Sequence, residues 1–149
     1  MRRTPIFETA LAAQEAFYAA LGRGDLEALM SVWADEDEAV CVHPSGTRTI
    51  GVDAIRASFE EIFSGGAVRV DTTSLLAYED DNLAVHSLIE HVAVQGRMGE
   101  QVVNVVATNV YVRSSLGWSM LLHHASPADG EAEGAGRPQA EERPTGPLH

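Results

Sequence analysis

The chain has 149 residues, of which 45% are hydrophobic, enough for one domain with a buried core of its own. Its formal charge is −12 and all ten basic residues are arginine, which disfavours nucleic-acid backbones and anionic membrane surfaces as partners. No apolar run approaches the roughly 20 residues that span a bilayer, and a single cysteine, Cys41, permits no intrachain disulfide.

Met1-Arg2-Arg3 is basic, but no apolar segment follows it, so no secretory signal is expected and a cytoplasmic location is the default. Thr4 and Pro5 suit the N-cap and first position of a helix. Ile6, Ala10, Ala13, Phe17 and Leu21 then recur at helical spacing, and Gly22 and Gly24 stop the pattern. Asp25 is placed to cap a second, shorter helix with Leu26, Leu29, Met30 and Trp33 on one side. The acidic run Asp35-Glu36-Asp37-Glu38 reads as a solvated loop.

Ala39 to His43 predicts a short strand, ended by Pro44 and the turn residues Ser45-Gly46, with a small return strand over Arg48 to Ile50. Gly51 leads into a third helix whose buried face is Ile55, Ser58, Phe59 and Ile62, ended by Ser64-Gly65-Gly66. Strands follow over Val68 to Tyr78 and Leu83 to Gln95, with turns at Glu79–Asn82 and Gly96–Glu100. The stretch from Val102 to Pro127 reads as a last hairpin across the turn Ser114-Ser115-Leu116-Gly117. Helices early and long strands later predict an α+β fold, with three N-terminal helices packed in the concave face of a curled, mainly antiparallel sheet.

The domain is expected to occupy residues 1–127. Residues 128–149 hold four Gly, three Pro and one large aliphatic residue, a composition that cannot offset ordering entropy by burial, so a disordered tail is expected. The tail accounts for only −3 of the formal −12, and the acidity belongs mainly to the domain.

If Arg113 pairs with Trp118, strict alternation puts Ala107, Asn109, Tyr111 and Arg113 on one face with Trp118, Met120, Leu122 and His124. That face has the character of a pocket lining. His123 then falls on the outer face, as a contact between subunits. Asn109 is either a ligand donor and acceptor or a structural hydrogen-bond partner. Tyr111 either points its hydroxyl to the lumen or packs as an aromatic. Glu90 shares a strand face with Ala84, His86, Leu88, Val92 and Val94. It reads either as a desolvated general base or as an interface or rim carboxylate paired with an arginine. His43 ends a strand where it can reach a cavity mouth, or can be structural. Trp33 and Trp118 are core aromatics, and one of them can form a ligand floor.

His123 and His124 are adjacent on a strand and point to opposite faces, as do His86 and His91, so they do not chelate one ion together. With no second cysteine and no helical His-Glu pair, neither a metal site nor a cofactor is expected. No phosphate loop or nucleophile elbow is present either.

Three elements carry a family resemblance: Cys41-Val42-His43-Pro44 with Gly51 and a helix after it; Ala107-Thr108-Asn109-Val110-Tyr111; and Gly117-Trp118 leading to His123-His124-Ala125-Ser126-Pro127. In this order the chain resembles the NTF2-like superfamily, in particular its SnoaL-like branch. The resemblance implies a cone-shaped half-barrel, three helices closing a central cavity, and a homodimer through the outer sheet face. Its members include isomerases, cyclases, dehydratases, transport adaptors and oligomerisation modules, so fold alone does not choose among them.

The leading expectation is a cavity lined by Trp33, Asn109, Tyr111, Met120, Leu122 and His124 that binds a small apolar or carbonyl-bearing molecule. The alternative is an isomerase, cyclase or dehydratase in which Glu90 or His43 moves a proton and Asn109 or Tyr111 steadies an oxyanion. A third reading is an oligomerisation module without activity.

Overall fold

The computed structural model describes residues 6–128. Of the expected tail only Ala128 falls within that range, and Thr4 and Pro5 lie outside it. The elements run α1 (Ala10–Arg23), α2 (Leu26–Met30), β1 (Val40–Val42), β2 (Arg48–Ile50), α3 (Val52–Phe63), β3 (Val70–Glu79), β4 (Leu83–Gly96), β5 (Gly99–Ser114) and β6 (Gly117–Pro127). This is an α+β fold of three helices on one open, mostly antiparallel sheet of six strands. The helices are not all N-terminal: the β1–β2 pair stands between α2 and α3.

α1 begins at Ala10 because Thr9 caps it, accepting the Ala12 N–H at 3.0 Å. Ile6 and Phe7, expected inside the helix, precede it; Phe7 is held by β6 instead, its carbonyl accepting the Trp118 N–H at 2.9 Å. Ala10, Ala13, Phe17 and Leu21 are buried as their spacing predicts, and Gln14 and Tyr18 are buried beside them. Gly24, at φ 66°, ends the helix in the left-handed conformation that glycine adopts without strain. Asp25 then caps α2 through the Ala28 N–H at 3.0 Å. α2 is shorter than the Leu26-to-Trp33 stripe suggests. Met120 donates to the Val32 carbonyl and accepts the Ala34 N–H, both at 2.8 Å, so the chain at Trp33 has become a bridge to the sheet.

The sheet order is β2-β1-β6-β5-β4-β3, antiparallel throughout except for the parallel β1–β6 pair. Its covered face packs on Phe17, Leu29, Ile55 and Phe59 from the helices. Phe17 is central to that core, making edge contacts with Tyr18, Trp33 and Phe59 and a tilted one with His123. One register row crosses all six strands on this face: Ala77, His86, Asn109, His123, Cys41 and Thr49.

Arg113 does pair with Trp118. The ladder then slips: Tyr111 pairs with Met120 but Val110 with Leu122, leaving Leu121 as an extra residue in β6. Beyond that bulge every side chain changes face. Leu122 and His124, expected inward, lie on the outer face opposite Val110 and Thr108, and His123, expected outward, is buried at 5% exposure. A second bulge interrupts β3 between Thr73 and Leu76, with Ser74 at φ 59°. The outer face exposes Leu76, Tyr78, Leu83 and Val106. Among the described residues no helix is long and apolar enough to cross a membrane.

Candidate functional site

Under α1 the covered face carries a connected group of polar side chains. Tyr18 donates its hydroxyl hydrogen to Glu90 Oε2 at 2.7 Å. Asn109 Nδ2 donates to the Tyr18 oxygen at 3.1 Å and to Gln14 Oε1 at 3.2 Å. With its amide nitrogen committed, Asn109 turns Oδ1 to His123 and accepts Nδ1–H at 2.6 Å. Gln14 Oε1 also accepts from His86 Nδ1 at 2.8 Å and from the Tyr111 hydroxyl at 3.1 Å. Each of these residues is buried, and an unpaired buried polar group costs about 1–3 kcal/mol, so the mutual pairing keeps the group in the core.

Burial shifts the titrations toward the neutral forms. It raises Glu90 above the ordinary carboxylate range, with the Tyr18 hydrogen bond opposing. His123 falls to about 3, through burial first and then the nearby charges of His43 and His124. Its unprotonated Nε2 stands 3.8 Å from Glu90 Oε2, too far for a hydrogen bond. Burial raises Tyr18 well above its ordinary value, the Glu90 charge adding to it, and raises Tyr111 too. The Cys41 thiol is pushed up to about 12 by burial and by Glu90, which removes it as a nucleophile at neutral pH.

Two grooves open near this layer. One, of about 470 Å³, lies between α1 and β3, against Leu11, Gln14, Glu15 and Tyr18 on one side and Val70 to Leu75 on the other. Gln14 and Tyr18 therefore belong both to the groove wall and to the buried polar group. Thr72, also in the groove, is the register partner of Glu90. The β3 bulge, with Ser74 in a backbone conformation unusual for a residue with a side chain, falls inside this groove. The other groove, about 300 Å³, is bounded by Met30, Ser31, Trp33, Asp35, Val52, Asp53 and Arg56, and Arg56 is ion-paired with Glu27.

The predicted site residues divide accordingly. Glu90 and Asn109 join one network on the covered face. Tyr111 and Met120 are wholly buried there and Trp33 nearly so; they pack as core. Leu122 and His124 are turned away by the Leu121 bulge. His43 stands apart from the hydrogen-bonded group, its Nε2 3.0 Å from Ser58 Oγ and its ring edge-on to Phe59, with burial lowering its pKa. Gln14, Tyr18 and His123 were not among the expected site residues. Gln14 and Tyr18 lie one position after Ala13 and Phe17, and that i, i+4 pair of hydrogen-bonding side chains beside an apolar stripe is the available signal. Among the described residues no three His, Cys, Asp or Glu are grouped to hold a metal ion.

The sequence pattern of the SnoaL-like domain matches residues 10–130. A Thiobacillus denitrificans structure named as a calcium/calmodulin-dependent protein kinase type II association domain is 32% identical, with a TM-score of 0.76, covering 84% of this chain and 99% of its own. A Streptomyces avermitilis structure named as a dehydratase of the NTF2-like family is 29% identical, with a TM-score of 0.71, covering 78% and 91%. A Caulobacter vibrioides protein with a cystatin-like fold shares the architecture at 14% identity and a TM-score of 0.70, covering 82% and 89%. No curated protein matches the chain. With the pattern matched over most of its length, the chain belongs to the SnoaL-like domain family, within the NTF2-like superfamily.

Proposed function

We propose that this protein binds a small, mainly apolar, carbonyl-bearing molecule in the groove between α1 and β3. One observation carries the reading: Gln14 and Tyr18 line the groove and are hydrogen-bonded, on their other side, to the buried Glu90–Asn109 layer. The groove mixes the aliphatic Leu11, Val70 and Leu75 with polar side chains, and convergent polar groups in a concave site with a perturbed acid behind them are characteristic of small-molecule sites. Asn109 and Tyr111 then act from behind, through their hydrogen bonds to Gln14 and Tyr18, while Trp33 and Met120 pack as core. The test is a titration of ¹⁵N-labelled protein with acetophenone, followed by NMR. Shifts are expected at Leu11, Thr72 and Ser74; shifts confined to the neighbourhood of Asp53 and Arg56 would rule the groove out.

A second reading, dehydration of a β-hydroxy ketone, is favoured by Tyr18 lying between the groove and Glu90. With Glu90 protonated, its carboxyl donates to the phenol oxygen while the phenol proton turns to a departing hydroxyl. Water leaves with that proton, and the carboxylate recovers one from the substrate's α-carbon through Tyr18. The name of the 29%-identical Streptomyces avermitilis structure is consistent with this chemistry. Glu90→Gln keeps an acceptor for Tyr18, so acetophenone affinity should hold within about twofold while any turnover drops on the order of a hundredfold. Unchanged turnover would remove Glu90 from the chemistry.

The apolar outer face supports a homodimer. The 32%-identical structure is named for association, which agrees with assembly of this kind.

A further inference from the structure

Gln14 has three hydrogen-bond partners on one oxygen and, among the described residues, none on its nitrogen. Asn109 Nδ2 can only donate, so the Gln14 atom facing it at 3.2 Å is the carbonyl oxygen. His86 Nδ1 and the Tyr111 hydroxyl converge on that same oxygen, at 2.8 and 3.1 Å. These contacts fix the amide, and its NH₂ is left without a hydrogen-bond partner among the described residues. The residue is only 5% exposed. Yet among the described residues the partnerless side-chain atoms sealed from solvent are Trp33 Nε1 and Thr49 Oγ1, and the Gln14 nitrogen is not one of them. It keeps an opening, and the opening Gln14 lines is the α1–β3 groove.

We infer that the Gln14 NH₂ is the group that selects the ligand, by donating to a neutral oxygen acceptor such as a ketone, ester or amide carbonyl. The inference rests on the groove being the binding site. A fixed donor left unpaired by a ligand without oxygen is a penalty the oxygen-bearing ligand avoids. The acceptor is neutral because Glu15 and Asp71 line the same groove with Glu90 behind it, and a carboxylate would meet repulsion from these acidic side chains.

The experiment compares acetophenone, ethylbenzene and benzoate, three probes of similar shape, by NMR titration at pH 8. Wild-type protein should prefer acetophenone to ethylbenzene on the order of tenfold and bind benzoate weakest. In Gln14→Met the preference should vanish. Should that variant fold poorly, Gln14→Glu keeps an oxygen for Asn109, His86 and Tyr111 while exchanging the free NH₂ for a second oxygen, and it should lose the preference as well. Equal binding of acetophenone and ethylbenzene to the wild type, or a preference that survives in the folded variant, overturns the role of Gln14 and leaves the groove standing. Binding of none of the three overturns the groove, and the inference with it.

Discussion

His123 has its proton on Nδ1 because Asn109 accepts there, and its bare Nε2 looks at Glu90. The cost of charging it is written into stability. Unfolded, a histidine takes a proton near its ordinary pH of about 6.5; in the folded protein His123 resists down to about 3. Between those values the unfolded chain binds more protons, so stability falls as pH falls, at roughly 1.4 kcal/mol per unit for this one group. His43 and His86 are lowered by burial and pull the same way. Glu90 is raised, and its contribution runs opposite, diminishing as pH rises above the ordinary carboxylate value. Urea midpoints should therefore drop on acidification below about pH 6.5, and His123→Phe should flatten that slope. A slope unchanged in the variant would mean that His123 is not the titrating group. Glu90 and Asn109 were legible as polar residues in apolar strands. Tyr18 and Gln14 were harder to read, because a helix full of alanine hides polar tips that only a facing strand makes useful.

At the level of elements, nearly every helix and strand was visible from spacing and turn residues, and the misreadings arose at irregularities of one residue. Leu121 offers no signal in composition, yet as the extra residue of β6 it decides which of two adjacent histidines is buried. Period-two alternation holds only as far as the next bulge. The start of α1 was misplaced for a different reason: Phe7 is claimed by a strand more than a hundred positions away, which no local pattern encodes. That docking is tight at Gly117, where φ is 94° and an added Cβ would lie 2.7 Å from the Phe7 carbonyl oxygen. Gly117→Val combines a disfavoured backbone conformation with a clash against main chain. It should cost at least about 2 kcal/mol, read as a lower urea midpoint with an unchanged m-value. A loss under about 0.5 kcal/mol would show that the segment before α1 can move aside at little cost.

For the whole molecule, the outer face of the sheet is the surface to probe. Leu76, Tyr78, Leu83 and Val106 lie exposed on it. If two copies meet there, Val106→Arg on the central β5 strand should give a monomer by analytical ultracentrifugation while keeping the circular dichroism of the parent. A variant that still sediments as a dimer moves the interface elsewhere. The strand order β2-β1-β6-β5-β4-β3 also has a consequence for how the chain is made. The last strand in sequence sits between the first hairpin and the long meander, so β1 and β2 have no place in the sheet until β6 has been synthesised. The helices and the early hairpin must wait on the ribosome for their seam to close, and pairings so far apart in sequence form slowly. A nascent chain halted before His123 lacks the strand against which Cys41 pairs, and chaperones would meet it as an uncovered edge at β1.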